Sequence, residues 1–196
     1  MTAERRREAE PGEGAPRAEA APRAAPGGEA APHGEPGGEA APHGEPGGEA
    51  APRIEHAGVA DLLAVVEDRR EFWGDRQLPA LHHPLLIYEF GQTAFVVRGE
   101  DGRVLAYLFG LLTPRGVGYV HVVAVRRGHR RGGLARALYE RFAGAAREHG
   151  ARSLKAFTRP ENATSIAFHR AQGFGVTVTP DYAGPGETRV VFTREL

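Results

Sequence analysis

Two adjacent glycines set among arginines carry the chemistry that this sequence most plainly offers. They lie in residues 126–138, RRGHRRGGLARAL. An apolar, strand-like run at 119–125 leads into the segment. A pattern of Leu134, Leu138, Phe142 and Ala145 at helical spacing leads out of it. A strand, a glycine turn and a helix N-terminus together make an anion site, because the free N–H groups of a first helical turn point outward and the helix dipole favours negative charge there. Glycine lets a ligand come close to the backbone. Arg126, Arg127, Arg130 and Arg131 add full charges suited to phosphate. The segment therefore reads as a pyrophosphate cradle. A nucleotide P-loop is excluded, since no Lys-Ser or Lys-Thr follows Gly133. The dinucleotide fingerprint G-x-G-x-x-G is absent as well.

Two segments together narrow the ligand. Residues 130–135, Arg-Arg-Gly-Gly-Leu-Ala, fit the pattern R/Q-x-x-G-x-G/A. Residues 162–174, NATSIAFHRAQGF, fit N-x-x-S/A-x-x-F/L-Y-x-x-x-G-F, except that His169 stands where the tyrosine would be. On these residues, and over about the last three-quarters of its length, the chain resembles the GNAT superfamily of acyl-CoA-dependent N-acetyltransferases. The resemblance implies a single α/β domain with a mixed, mostly antiparallel sheet, a central parallel strand pair and flanking helices. It implies that the pair, residues 119–125 and 153–158, splays apart around the pantetheine arm of acetyl-CoA. Backbone groups of Val123, Ala124 and Val125 would then hold the arm. Arg130 and the amides of Arg131, Gly132, Gly133, Leu134 and Ala135 would hold the pyrophosphate. Asn162 would bond the pantetheine, cap a helix, or do both. No metal is implied.

Acyl transfer to an amine needs a group that takes a proton from the amine and a group that stabilises the leaving thiolate. The resemblance puts His169 in the acid's place, where it could donate to the thiolate, bond the cofactor or simply pack. His121 is a candidate base. With a period of two it shares a face with Tyr119, Val123 and Val125, and a core role is its alternative. Glu89 is a further candidate, and a water relay needs no single base.

The remaining chain must position these residues. Residues 1–53 are Ala, Pro, Gly, Glu and Arg with a decapeptide repeat, AAPHGEPGGE at 30–39 and again at 40–49. The units offer no apolar face to stack, so a disordered tail is expected. The folded domain is expected over 54–196. One helix is expected over 57–72 and a lid-like segment with His82 and His83 over 78–90. A hairpin follows across Asp101-Gly102, with strands at 92–98 and 104–112. The helix from Leu134 should end near Gly150, and one capped by Asn162 should end at Gly173. Strands at 174–179 and 189–193 complete the sheet.

Composition bounds the rest. Formal net charge is zero, which disfavours a general nucleic-acid binder. No apolar run is long enough for a membrane span, the first residues lack the apolar core of a secretory signal, and no cysteine is present, so a cytoplasmic setting is expected. The acceptor would be an amine on a small molecule or a peptide. A homodimer is compatible with all of this. The competing function is a non-catalytic acyl-CoA-binding or sensing module, which the missing tyrosine at His169 favours. The intact loop and Asn162 favour turnover or are neutral.

Overall fold

The computed structural model describes residues 52–76 and 81–196. The repeat-bearing tail and the first residues, 78–80, of the segment expected over 78–90 lie outside the described residues. Seven strands form one sheet: β1 (Ile54–His56), β2 (Ala94–Arg98), β3 (Val104–Thr113), β4 (Val117–Val125), β5 (Ser153–Thr158), β6 (Gly175–Thr179) and β7 (Arg189–Glu195). Their order is β1-β2-β3-β4-β5-β7-β6. Every neighbouring pair is antiparallel except β4–β5. The helices are α1 (Val59–Glu67), α2 (Arg69–Trp73), α3 (Leu85–Tyr88), α4 (Leu134–Glu148) and α5 (Ala163–Ala171). This is the mixed α/β architecture expected from the sequence.

The sheet is covered on both faces, so it has two cores. On one side α4 buries Leu138, Tyr139, Phe142, Ala143 and Ala146 against Phe95, Leu108, Val120, Leu154 and Phe192. On the other, Leu62, Val65, Phe72 and Leu86 of the first three helices cover Val96, Tyr107, Phe109, Val122 and Ala124. Two glycines set how closely α4 lies on the sheet. A Cβ added at Gly110 would sit 2.2 Å from the Phe142 ring, and one at Gly118 would sit 2.8 Å from Leu154.

Two local features differ from expectation. The helix expected over 57–72 is broken at Asp68, which closes α1 and opens α2 with φ −84° and ψ 16°. Its carboxylate receives the Arg126 guanidinium at 2.5 Å, so an ion pair to the loop after β4 anchors the break. Strand β1 was not expected, because three residues are too short to carry a period. The turn chemistry agrees with expectation: Gly102, Gly150 and Gly173 all take positive φ at turns or helix ends.

Candidate active site

The parallel pair opens partway along. β4 and β5 are paired only at Val117–Ser153, Gly118–Leu154 and Tyr119–Lys155. Beyond that rung β4 stays bonded to β3 as far as Val125, and β5 stays bonded to β7 as far as Thr158. Each strand thus holds to its outer neighbour while the two inner edges part. Their inward backbone groups lack the sheet ladder, which leaves a row of donors and acceptors for an extended ligand.

The opening leads to the glycine loop. Residues 127–133 are solvent-exposed, and Arg131 and Gly133 both adopt left-handed backbone, φ 70° and 78°. Gly133 is the N-cap of α4, and no side chain caps that end. The first bond into the helix cap runs from the Ala137 amide to the Gly133 carbonyl at 3.0 Å. The amides of Leu134, Ala135 and Arg136 precede it and lack intrahelical acceptors by helix geometry. No acidic residue stands in this first turn, so the dipole's positive end is offset by no neighbouring carboxylate within it. The arginines divide by role. Arg126 is tied to Asp68 and to the Val104 carbonyl. Arg130 donates to the carbonyls of Val125 at 3.3 Å and Phe72 at 2.8 Å, so it buttresses the loop against α2. Arg127 and Arg131 are exposed.

A register shift decides which way β4's side chains point. Phe109 pairs with Val122 and Gly110 with Val120, which leaves His121 as an extra residue. A bulge of this kind reverses the alternation beyond it. The expectation that Tyr119, His121, Val123 and Val125 share one face is therefore corrected: Val123 and Val125 pack with Val120 in the α4 core, while Val122 and Ala124 pack in the opposite core. Tyr119 and His121 remain close, with ring centroids 6.1 Å apart.

Around Tyr119 the structure assembles a wall that the sequence did not show. The Phe157 ring of β5 stacks on Tyr119 at 6.0 Å, and Tyr182, from the loop between β6 and β7, meets Phe157 edge-on at 5.4 Å. The Lys155 Nζ lies 5.1 Å from the Tyr182 ring centre. Burial, helped by the neighbouring Tyr182, pushes the Tyr119 phenol up to about 12, so it keeps its proton at neutral pH. The only signal for this wall in the sequence was the period-two position of Tyr119. Phe157 and Tyr182 lie on other elements, far along the chain. A second polar chain braces the lid side. Trp73 Nε1 donates to the Tyr107 hydroxyl, which bonds His82 Nε2, both at 2.7 Å.

His169 lies elsewhere. It is 4% exposed and stacks flat on Phe192 at 3.8 Å. Its Nδ1 donates to the Ser165 carbonyl at 2.7 Å, and its Nε2 then accepts from the Tyr139 hydroxyl at 2.7 Å. Burial lowers its pKa to about 4, against a smaller opposing effect of the Ser165 carbonyl. Near neutral pH the ring is thus uncharged, with both nitrogens engaged inside the core. Asn162 caps α5, its Oδ1 accepting from the Ser165 amide at 3.1 Å while its Nδ2 donates to Thr158 Oγ1 at 2.9 Å. It joins the end of β5 to the start of α5, at the far rim of the opening. Glu89 is exposed beyond α3 and lines a different cavity, of about 670 Å³, with His56, Tyr88, Gln92 and Leu112. Neither the glycine loop nor His121 lines that cavity. Among the described residues no three His, Asp or Glu side chains form a group that could hold a metal, and no helix is long and apolar enough to cross a membrane.

A sequence model of the acetyltransferase (GNAT) family matches residues 62–174, more than half of the chain. The chain belongs to the GNAT acetyltransferase family. Its matched span runs from α1 through the glycine loop to Phe174, and so includes the opened strand pair. Among solved structures, Ard1 from Thermoplasma volcanium aligns at 21% identity and a TM-score of 0.62, over 75% of this chain and 99% of that one. The yncA protein of Salmonella typhimurium, solved with its cofactor acetyl-CoA, aligns at 24% identity and a TM-score of 0.58, over 75% and 95%. A phosphinothricin acetyltransferase from Sinorhizobium meliloti, in complex with acetyl-CoA, aligns at 20% identity and a TM-score of 0.59, over 75% and 89%. These likenesses carry the GNAT fold. Comparison with curated proteins finds no match. As a GNAT domain, the chain falls in a family of acetyl-CoA-dependent acyltransferases.

Proposed function

We propose that this GNAT domain moves the acetyl group of acetyl-CoA to a primary amine by direct attack, with both substrates bound together. The observation that carries the reading is the continuity between the side-chain-uncapped, acid-free N-terminus of α4 and the opened edge of β4. The first suits a pyrophosphate and the second an amide-bearing arm. The amides of residues 131–135 take the phosphates, and the exposed Arg127 and Arg131 add charge; Arg130 acts by holding the loop. Backbone groups of Val123, Ala124 and Val125 pair with the arm, and Asn162 steadies the opposite rim.

His121, projecting at the bulge beside Tyr119, is the group we assign to receive the amine's proton, directly or through water. Tyr119 retains its proton and donates a hydrogen bond toward the reacting centre. His169 is given a positioning role: it locks α5 to α4 and β7 from the core. Glu89 is given none. The acceptor, an amine on a small molecule or a peptide, meets the Tyr119–Phe157–Tyr182 wall. The tail over 1–53 is a separate segment that the transferase domain over 54–196 does not need, and the protein works in the cytoplasm.

Calorimetric titration of acetyl-CoA into the full chain tests the binding. Saturable micromolar binding is expected for the wild type, and its loss in Gly133→Asp. An amine panel followed by thiol release, each read against a no-amine control, then tests transfer; the chain has no cysteine, so no protein thiol adds to the signal. Binding without thiol release for any amine would favour the sensing module.

A further inference from the structure

Lys155 is the only lysine in a chain with 25 lysine and arginine residues. Elsewhere a positive side chain is a guanidinium, which stays protonated and does not act as an acyl acceptor. Lys155 therefore carries the one side-chain amine that can be acylated, and it stands at a particular place. It forms the last rung with Tyr119 before β4 and β5 part. Its strand neighbours Leu154 and Ala156 face the α4 core, so by alternation Lys155 projects to the other face with Phe157. There its Nζ lies against the Tyr182 ring at 5.1 Å. Among the described residues no carboxylate forms an ion pair with it; the carboxylate bridges there engage arginines. A ring contact on a flexible four-carbon stem leaves the amine free to swing.

The opening ends at the same rung. From Val125 back to Tyr119 is six residues of strand, roughly 20 Å at about 3.3 Å per residue. An arm anchored by its phosphates at α4 and laid along this edge carries its thioester toward the closed end of the opening, where Lys155 stands. We propose that Lys155 is a self-acetylation site, taking an acetyl group from acetyl-CoA bound in its own β4–β5 opening. This inference rests on the acetyl-CoA reading above. The ammonium first gives up a proton to water or to His121. The neutral Nζ then adds to the thioester carbonyl, an N–C bond forms and the C–S bond breaks. CoA leaves as a thiolate, and the nitrogen's second proton returns to it or to solvent. The product amide carries no charge, so the wall around Tyr182 changes from cationic to neutral and its preference among acceptors changes with it.

The test incubates the full chain with acetyl-CoA alone and follows intact mass, peptide mapping and, in parallel, calorimetric binding. One acetyl group on Lys155 is expected, at a rate per molecule independent of protein concentration. Lys155→Arg should bind acetyl-CoA as wild type does and gain no acetyl group except at the N-terminal amine. Gly133→Asp should neither bind nor become labelled. Wild-type protein that binds acetyl-CoA yet stays unmodified at Lys155 overturns the inference and leaves the functional reading standing. Equal labelling of Gly133→Asp, which would mark bulk chemistry, also overturns it, as does a rate proportional to protein concentration, which would mark transfer between copies. No acetyl-CoA binding at all overturns the functional reading, and this inference with it.

Discussion

The glycine loop and the aromatic wall sit at opposite ends of one opening and are built in opposite ways. The loop offers backbone amides from a contiguous stretch, residues 131–136, and its demands fall on glycine positions and on the absence of a capping side chain. The wall offers side chains from β4, β5 and the loop after β6, brought together by sheet order. A backbone site must write its geometry into local sequence, because only certain residues allow it. A side-chain site needs only that a few residues meet after folding. On the proposed reading, the cofactor end of this molecule is thus specified locally, and the acceptor end is specified by topology.

Breaking the backbone end should have the largest effect. Gly133→Asp places a carboxylate against the free amides of α4, where it competes with the phosphates and repels them. Aspartate tolerates left-handed backbone better than most residues, so the fold should persist. Acetyl-CoA affinity should fall by about 100-fold or more, roughly 3 kcal/mol, as read by calorimetry beside an unchanged circular dichroism spectrum. An affinity within about threefold of wild type would move the pyrophosphate away from this loop.

The scaffold between the two ends comes next. Gly110→Ala forces a methyl into the fully buried Phe142 ring. Overpacking of this kind costs about 1–3 kcal/mol, and the melting temperature should drop accordingly. Since α4 carries the loop at its N-terminus, acetyl-CoA binding should weaken with it.

A pH effect of similar size separates the two histidines. His169 has its pKa lowered to about 4 in the folded state, so the unfolded chain binds the extra proton first. Its contribution to stability is therefore present above about pH 6.5 and is lost as pH falls toward 4, up to about 3 kcal/mol. Denaturant titrations across this window should show the slope in wild type and a smaller one in His169→Phe, even if that variant is less stable throughout. His121→Ala should instead lower turnover, by about 10²-fold or more if it is the base. The smallest effect belongs to the tail: removal of residues 1–53 should leave acetyl-CoA affinity within about twofold, and a larger loss would give the repeats a part in binding.

Residue by residue, legibility follows the same division. The loop, the Asn162 cap and the Gly102, Gly150 and Gly173 turns could be read in advance, because each depends on residues a few positions apart. The orientation along β4 could not. The alternation of Tyr119, His121, Val123 and Val125 is unbroken in sequence, and only the pairing with β3 shows that His121 is inserted and that the last two valines turn to the α4 core. His169 was legible as a position in a motif and illegible as an environment. Phe192, Tyr139 and Phe174 surround it from β7, α4 and the residue just before β6, and no local pattern announces them. The break at Asp68 is of the same kind, since its partner Arg126 lies 58 residues away.

Amide hydrogen exchange with and without acetyl-CoA tests the central claim most directly, because the site is a claim about particular backbone groups. Protection on binding is expected in two stretches, residues 120–125 along the open edge of β4 and residues 131–136 at the loop and the first turn of α4. Weaker changes are expected in β2 and in the outer part of β3. Saturable binding with protection confined to other segments, such as the cavity beside Glu89, would contradict the account.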